Sequence, residues 1–251
     1  QALYAMKIHN INSKQQISIL EKIVSDIPNY LDQPTPSHFQ SIQLKKLSEY
    51  LNCEDLYEEE KYRQNKSAME LRSYIIDQIN SSENPLYSGA LFSVEGNNFD
   101  PIFTKNYDVN LKIKEVLNHQ FSVDHFDIFK RKLLNSNQVV YICDNAGEIV
   151  FDQIFIEECQ KWRKANSKKT LNFNIIVKSG PILNDATIND AVFTHLDYVG
   201  EIILSGSNNL GLPLEYASDE VISLIDNSDL IISKGQANFE TLEEEDKLWG
   251  K

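Results

Sequence analysis

Residues 1 to about 135 place apolar side chains at the spacing of amphipathic helices. The segment Ile17–Val24 is one example, and its pattern stops before Pro28. The same spacing predicts further helices over residues 38–52, 55–80, 108–119 and 123–135. Clusters of Gly, Pro, Asn and Ser separate these segments at 33–36, 81–85 and 96–98, as loops do. The sequence therefore predicts an all-helical domain over residues 1–135.

From residue 136 the pattern changes to an alternation of short apolar runs, polar turns and helices. The four runs that indicate buried strands are Val139–Cys143, Asn174–Lys178, Glu201–Ser205 and Leu230–Lys234. Helical patterns occupy residues 149–165, 187–196, 214–227 and 236–247. Because strands that alternate with helices form parallel sheets covered on both faces, we expect an α/β domain over residues 136–251. The joint between the two domains falls near Leu134–Asn137.

The charge and the cysteine content limit the classes of function that the sequence allows. The net charge is −13, whereas a nucleic-acid-binding face needs basic residues against the phosphates, so we expect no nucleic-acid partner. The chain has no run of about 18 apolar residues, which predicts no membrane-spanning helix and no membrane partner. Its three cysteines include no Cys-x-x-Cys pair, which argues against a disulfide framework or a Cys-rich zinc site. We expect a cytoplasmic protein.

Polar, glycine-bearing turns follow each of the four predicted strands. These turns are Asp144–Glu148, Ser179–Thr187, Gly206–Gly211 and Lys234–Asn238. In open parallel sheets, ligands bind beyond the carboxyl ends of the strands. We therefore expect the four turns to converge on one edge of the sheet and to carry the chemistry of the protein.

Asp144, Asn145 and Asp185 are candidate metal ligands within these turns. Carboxylate and amide oxygens are hard ligands that suit Mg, Mn and related divalent ions. Such an ion can polarise a phosphoryl oxygen, and its charge would reconcile an acidic chain with an anionic substrate. The same residue types are also ordinary helix N-caps, and the run Asn184–Thr187 resembles a cap. The residues alone leave both interpretations open.

Two further turn residues are candidate phosphate contacts. Lys234 is the only basic residue at the tip of the last strand, and beside the start of the next helix it can hold a phosphate as a point charge. Gly206 opens the run Gly206–Asn209, whose backbone amides can cradle an anion. The alternatives are a lysine that reaches from the sheet edge toward solvent and a flexible loop.

Four segments form an ordered set of motifs: Gly96–Asp100, Asp144–Asp152, Gly180–Thr187 and Lys234–Glu240. In this order they resemble the DUF89 family, the metal-dependent damage-control phosphatases also called the ARMT-like family, and most closely its standalone microbial branch. The resemblance implies a helical domain packed on a Rossmann-like, three-layer α/β/α domain with a mostly parallel sheet. It also implies one divalent metal ion, Mn, Co, Ni or Mg, in the crevice.

The resemblance implies roles for individual residues. The metal-binding Asp-Asn pair of the family falls on Asp144 and Asn145, and its second acidic ligand falls on Asp185. Lys234 matches the Lys of a Lys-Gly motif that contacts phosphate. The remaining matches are Glu148 and Asn184, which contact substrate or orient water, and Asn97 and Asp100, which the helical domain contributes to the cleft.

The implied function is metal-dependent hydrolysis of phosphate monoesters of small metabolites, such as sugar phosphates. We expect water to attack the phosphoryl group, with the Asp144 carboxylate as the alternative nucleophile. Two other functions stay open: an S-adenosylmethionine-dependent protein carboxyl methyltransferase, which the lack of a Gly-x-Gly loop after the first strand disfavours, and a non-catalytic metabolite-binding protein. The family usually has a Cys-x-x-Cys element before residue 1 and a strand and helix after residue 251, so we expect the chain to be cut short at both ends. The sequence predicts neither the natural substrate nor the oligomeric state.

Overall fold

The computed structural model describes residues 2–30, 32–96 and 108–248. Its first part is helical, as the apolar spacing predicted. The helices are α1 (Ala2–Ile8), α2 (Ser13–Asp26), α3 (Pro36–Leu51), α4 (Glu58–Asn80), α5 (Pro85–Glu95), α6 (Val109–Asn118) and α7 (Phe126–Asn135). The five predicted helices are confirmed as α2, α3, α4, α6 and α7, whereas α1 and α5 were not predicted.

Helix α5 escaped prediction because it is buried on most of its surface. Its buried residues are Leu86 and Ser88–Ser93, which leaves no alternation of apolar and polar faces for a periodicity argument to detect. Its start signals were present. Asn84 accepts a hydrogen bond from the Tyr87 amide, and Pro85 occupies the first helical turn, which is the usual chemistry of a helix N-terminus.

The second part contains the predicted parallel sheet. Its strands are β1 (Gln138–Ile142), β2 (Asn172–Val177), β3 (Glu201–Leu204) and β4 (Leu230–Ser233), and its helices are α8 (Glu148–Ala165), α9 (Ile188–Phe193), α10 (Asp219–Asn227) and α11 (Gln236–Leu242). The strands lie in the order β3-β2-β1-β4, and every neighbouring pair is parallel. The α/β fold class is therefore confirmed. Each strand ends one residue earlier than predicted, so Lys178 and Lys234 lie in the turns rather than in the strands.

Alternate residues of β1 face two different cores, because successive side chains of a strand point to opposite faces of the sheet. Val139 and Tyr141 pack with α8 residues such as Ile149 on one face. Val140 and Ile142 pack with residues of α10 and α11 on the other face. Helices thus cover both faces of the sheet, as the strand-helix alternation predicted.

Helix α8 joins the sheet to the helical part of the chain. Its residues Phe151 and Ile154 share a core with Ile75 of α4 and Phe92 of α5. Helix α8 begins at Glu148, a predicted site residue. The packing of α8 against α4 and α5 therefore fixes the position of the helix that carries Glu148. The division into two domains at residue 135 stays a prediction. Within the described residues, each helix is too short or too polar to span a lipid bilayer.

We expect Ile154→Ala to lower the free energy of unfolding by about 2–5 kcal/mol, because it removes a fully buried side chain from the shared core and leaves a cavity. Urea denaturation followed by circular dichroism measures the change. Val192→Ala is the matched control: it is the same kind of truncation at an exposed helical position, where the expected change is within about 0.5 kcal/mol. Equal effects of the two variants would contradict the shared core.

Candidate functional site

The turn after β1 lies between the turns that follow β2 and β4, because β1 has those two strands as neighbours. The chain runs outward from β1 through β2 to β3 and then returns to the other side of β1. In open α/β sheets such a reversal of strand order opens a crevice at the carboxyl ends of the strands, where ligands bind. By this rule, a ligand is expected at the carboxyl ends of β1 and β4, beside Asp144 and the Lys234–Gly235 turn.

Backbone hydrogen bonds tie the β1 turn to the β2 turn. The Ala146 amide donates to the Asn184 carbonyl and the Ala186 amide donates to the Asp144 carbonyl, both over 2.8 Å. Asn145 and Asp185 form an isolated antiparallel bridge. The structure therefore brings the three predicted metal ligands, Asp144, Asn145 and Asp185, into one pair of turns.

None of these three residues is a helix cap. Helix α8 has Gly147 at its N-cap, with no side-chain cap hydrogen bond. Helix α9 begins at a capping box formed by Thr187 and Asp190. The cap interpretation is therefore wrong for Asp144, Asn145 and Asp185, whereas the cap-like run Asn184–Thr187 does contain the N-cap of α9, Thr187.

Burial raises the pKa of three carboxyl groups around this pair of turns. Burial and the nearby carboxylate of Asp185 raise the pKa of Asp144 to about 7. Burial raises the pKa of Glu148 to about 7, although Lys234 opposes the shift. Burial also raises the pKa of Asp185 to about 6, and Lys178 opposes it. In each case, removal from water disfavours the charged form.

Lys234 points into the protein rather than toward the crevice opening. Its Nζ donates to the carbonyl of Ser93 over 2.9 Å, to Glu148 Oε1 over 2.5 Å and to Asp152 Oδ1 over 2.8 Å. Burial favours the neutral amine, but Asp152 and Glu148 outweigh it and raise the pKa of Lys234. An ammonium group has three protons to donate, and all three have acceptors here. A phosphate would contact Lys234 only by replacing one of these acceptors, and that contact stays a prediction.

Asp152 and Lys178 were not singled out from the sequence, although both belong to the charged cluster. Asp152 is fully buried and its Oδ1 accepts hydrogen bonds from Ser93 Oγ at 2.6 Å and from Tyr141 OH at 2.7 Å. Lys178 is buried, donates to the Gly211 carbonyl and lies 3.5 Å from Asp185 Oδ2. A signal for Asp152 existed: it follows Glu148 by four residues on a helix, which places both carboxylates on one face.

The other predicted site residues lie at the edges of this cluster. The Asn184 Nδ2 faces Gln64 Oε1 at 3.5 Å. Gly206 is exposed, and its amide donates to Ser179 Oγ over 2.7 Å, so this amide already has a partner within the chain. Asn97 and Asp100 lie outside the described residues.

Gly235 allows the β4 turn to approach Asp144. Its φ of 87° and ψ of 156° belong to a region that is essentially restricted to glycine. A Cβ at this position would lie 2.2 Å from Asp144 Oδ2. Glycine is therefore required after Lys234, because a larger residue would collide with Asp144, a predicted metal ligand.

The charges of the cluster fit a divalent cation. Four carboxylates (Asp144, Glu148, Asp152, Asp185) surround two buried ammonium groups (Lys178, Lys234), so the fully ionised cluster has two negative charges in excess. In addition, the buried Asp185 Oδ2 accepts no hydrogen bond within the described residues, and its ion pair with Lys178 is long, at 3.5 Å. Asn145 presents its Nδ2 to Asp144 Oδ2 at 2.7 Å and to Glu148 Oε2 at 3.4 Å, so its amide would have to turn to offer its oxygen to an ion. Among the described residues, no three His, Cys, Asp or Glu side chains converge as a metal-binding group.

Comparison with known proteins identifies the family. The model of the damage-control phosphatase ARMT1-like domain matches residues 1–250. The chain belongs to the ARMT1-like family of damage-control phosphatases. An uncharacterised protein of Methanocaldococcus jannaschii is 31% identical over 90% of this chain and 74% of its own length. A damage-control phosphatase of Archaeoglobus fulgidus is 30% identical over 85% of this chain and 73% of its own length.

A solved structure supports the same fold. The crystal structure of a DUF89 family protein from Pyrococcus horikoshii matches with a TM-score of 0.85 and 24% identity over 97% of this chain and 83% of that protein. The predicted family resemblance is therefore confirmed. Membership of the ARMT1-like family supports a phosphatase role for the chain.

We expect Gly235→Ala to lower the free energy of unfolding by about 1–3 kcal/mol, since a Cβ there forces an unfavourable backbone conformation and contacts Asp144. Thermal and urea unfolding measure the loss. Gly89→Ala is the control, because Gly89 lies in helix α5 and the three atoms nearest an added Cβ belong to the side chains of Glu158 and Phe155, the closest at 3.2 Å. If both substitutions had the same effect, the close approach of Gly235 to Asp144 would be wrong.

Proposed function

We propose that this protein is a divalent-metal-dependent phosphatase that hydrolyses phosphate monoesters of small metabolites such as sugar phosphates. The observation that carries the proposal is the pair of hydrogen-bonded turns that gathers Asp144, Asn145 and Asp185 at the carboxyl ends of β1 and β2. The excess of negative charge around them supports a bound cation. The names of the relatives support the phosphatase chemistry.

Asp144, Asn145 and Asp185 would hold the ion through two carboxylates and one amide oxygen. Ions that accept such ligands include Mn, Mg, Co and Ni. When bound, the ion polarises the phosphoryl group and offsets its negative charge.

The protein's own residues orient water and balance charge. Glu148 has a pKa of about 7, so its carboxylate can accept a proton from water at neutral pH. Lys234 holds Glu148 in place through a 2.5 Å ion pair, which fixes the direction of the carboxylate. Water then bonds to phosphorus, the bond from phosphorus to the leaving oxygen breaks, and that oxygen takes up the proton that Glu148 accepted from water. Asp144 stays the alternative nucleophile.

We expect Asp144→Asn to reduce kcat/KM for p-nitrophenyl phosphate about a hundredfold or more, a loss of the size seen when a group that stabilises charge in the transition state is removed. The assay contains Mn²⁺, and circular dichroism checks the fold. Asp197→Asn is the control, because it makes the same change at an exposed position. Full activity of Asp144→Asn would refute the site assignment.

The same assay separates the proposal from its rivals. Wild-type protein that turns over no phosphate ester with Mn²⁺, Mg²⁺, Co²⁺ or Ni²⁺ would favour the methyltransferase or the non-catalytic binding protein. Calorimetric titration with S-adenosylmethionine then distinguishes these two, since only the methyltransferase requires that cofactor. A panel of phosphorylated metabolites, run in parallel, identifies the substrate class.

Metal binding has a readout that does not depend on turnover. A ligand that binds only the native state at a hundred times its Kd stabilises that state by about 2.7 kcal/mol. We therefore expect Mn²⁺ to raise the Tm of the wild-type protein, and EDTA to reverse the rise. Asp185→Asn removes one ligand charge while keeping the size of the side chain, and we expect it to lose most of this shift. An unchanged shift in Asp185→Asn would place the ion elsewhere.

A further inference from the structure

Helix α4 lies directly against the β1 turn. Gly147 has a φ of 75°, and a Cβ there would lie 3.0 Å from the Gln64 Cβ and 3.2 Å from the Gln64 carbonyl carbon. The turn that contains Asp144 and Asn145 thus touches the helix backbone with no space for a side chain. A residue on α4 next to Gln64 is close enough to act on this turn.

Asn65 of α4 connects the β1 turn to the β2 turn through its side-chain amide. Its Oδ1 accepts a hydrogen bond from the Gly147 amide at 2.6 Å, and its Nδ2 donates to Asp190 Oδ1 at 2.8 Å. The side chain is 1% exposed, so neither bond competes with bulk water. A side-chain amide offers both an acceptor and a donor, and this arrangement uses both.

Asp190 carries the connection from Asn65 to the Asp185 segment. Its Oδ2 accepts hydrogen bonds from the Thr187 amide at 2.9 Å and from Thr187 Oγ1 at 2.6 Å. Thr187 lies two residues after Asp185 and pairs with Lys178 in an isolated parallel bridge. Asp190 therefore holds the segment that presents Asp185.

Lys61, one helical turn before Asn65, supplies the positive charge that Asp190 needs in this buried place. Its Nζ lies 3.3 Å from Asp190 Oδ2 and 2.8 Å from Asp55 Oδ2. Burying a carboxylate without a partner would cost free energy. The contacts of Asp190 with Lys61, Asn65 and Thr187 offset that desolvation cost. These residues form a second buried polar network beside the metal-ligand turns.

We propose that Asn65 and Asp190 are positioning residues that set the spacing between the Asp144–Asn145 turn and the Asp185 turn, and thereby the affinity of the site for its divalent metal. This inference rests on the proposed function. Neither residue is a ligand. Each acts through backbone groups of a turn that supplies one, and partners of this kind typically change metal affinity by about 10–100-fold.

A reversal of the hydrogen bond between these residues tests the proposal. Asn65→Asp places two carboxylates face to face, and Asp190→Asn places two amide donors face to face while its remaining oxygen still accepts from Thr187. The double variant restores one donor and one acceptor, keeps an acceptor for the Gly147 and Thr187 amides, and leaves the formal charge of the pair unchanged. Mn²⁺ binding to each protein is measured by isothermal calorimetry without substrate.

We expect each single variant to bind Mn²⁺ about 10–100-fold more weakly than wild type, and the double variant to regain most of the lost affinity. Binding of Mn²⁺ by the single variants at wild-type affinity would overturn the proposal. A wild-type protein that binds no Mn²⁺ would instead overturn the proposed function, so the two failures are distinguishable.

Two further variants distinguish an effect on metal affinity from a general loss of stability. Ile75→Val trims a fully buried side chain on the same helix α4 without contacting either turn, so its Tm falls while its Kd for Mn²⁺ stays at the wild-type value. If Asn65→Asp does not fold, Asn65→Ser removes the bridge without adding a carboxylate beside Asp190. Variants at Asn65 and Asp190 that lower the Tm but leave the Kd unchanged would show that the network is only structural, and the proposal would then be wrong.

Discussion

The burial of Lys234 between two carboxylates is the interaction on which the rest of the site depends. Its ammonium joins the end of β4 to helix α8 through Glu148 and Asp152, and to helix α5 through the Ser93 carbonyl. Each of these charges is costly to remove from water, and the cost is offset only when the geometry satisfies every donor. One side chain therefore fixes three elements at the point where the strand order reverses, and it sets the direction of Glu148 beside the β1 turn.

A cluster with four carboxylates and two ammonium groups is not the arrangement that maximises stability. Apolar residues of similar volume often stabilise a core as well as buried ions do or better, and glycine at positions 147 and 235 adds flexibility to the unfolded chain. The raised pKa values of Asp144, Glu148 and Asp185 show that burial disfavours the charged forms of these groups. Raised pKa values and local backbone constraints of this kind concentrate at functional sites, which accords with the function proposed for the cluster.

The sequence predicted those features that depend on local pattern. Apolar runs located β1 to β4, and the polar turns after them contained Asp144, Asn145 and Asp185, which the parallel order of the strands then brings to one edge. Features that depend on contacts distant in the chain were not predicted. Helix α5 is apolar on most sides, the direction of Lys234 is set by Ser93 from 141 residues away, and Asn65 meets Gly147 across 82 residues. Local periodicity carries no information on which helix covers the open edge of a sheet.

The hydrogen bonds of Asn65 and Ser93 indicate what the helical part of the chain contributes to the proposed site. The sequence suggested that this part supplies recognition of the substrate, through residues such as Asn97 and Asp100 that lie outside the described structure. The contacts of α4 and α5 point to a different contribution, because Asn65 and Ser93 bind groups of the β1 turn, the β4 turn and α8 rather than lining an open surface. Backbone hydrogen bonds from Ala146 to Asn184 and from Ala186 to Asp144 join the two turns, while the nearby carboxylates of Asp144 and Asp185 repel each other. Helix α4 contacts the first turn through Asn65 and reaches the second through Asp190. The proposed arrangement of Asp144, Asn145 and Asp185 therefore also depends on a helix that supplies none of these three residues.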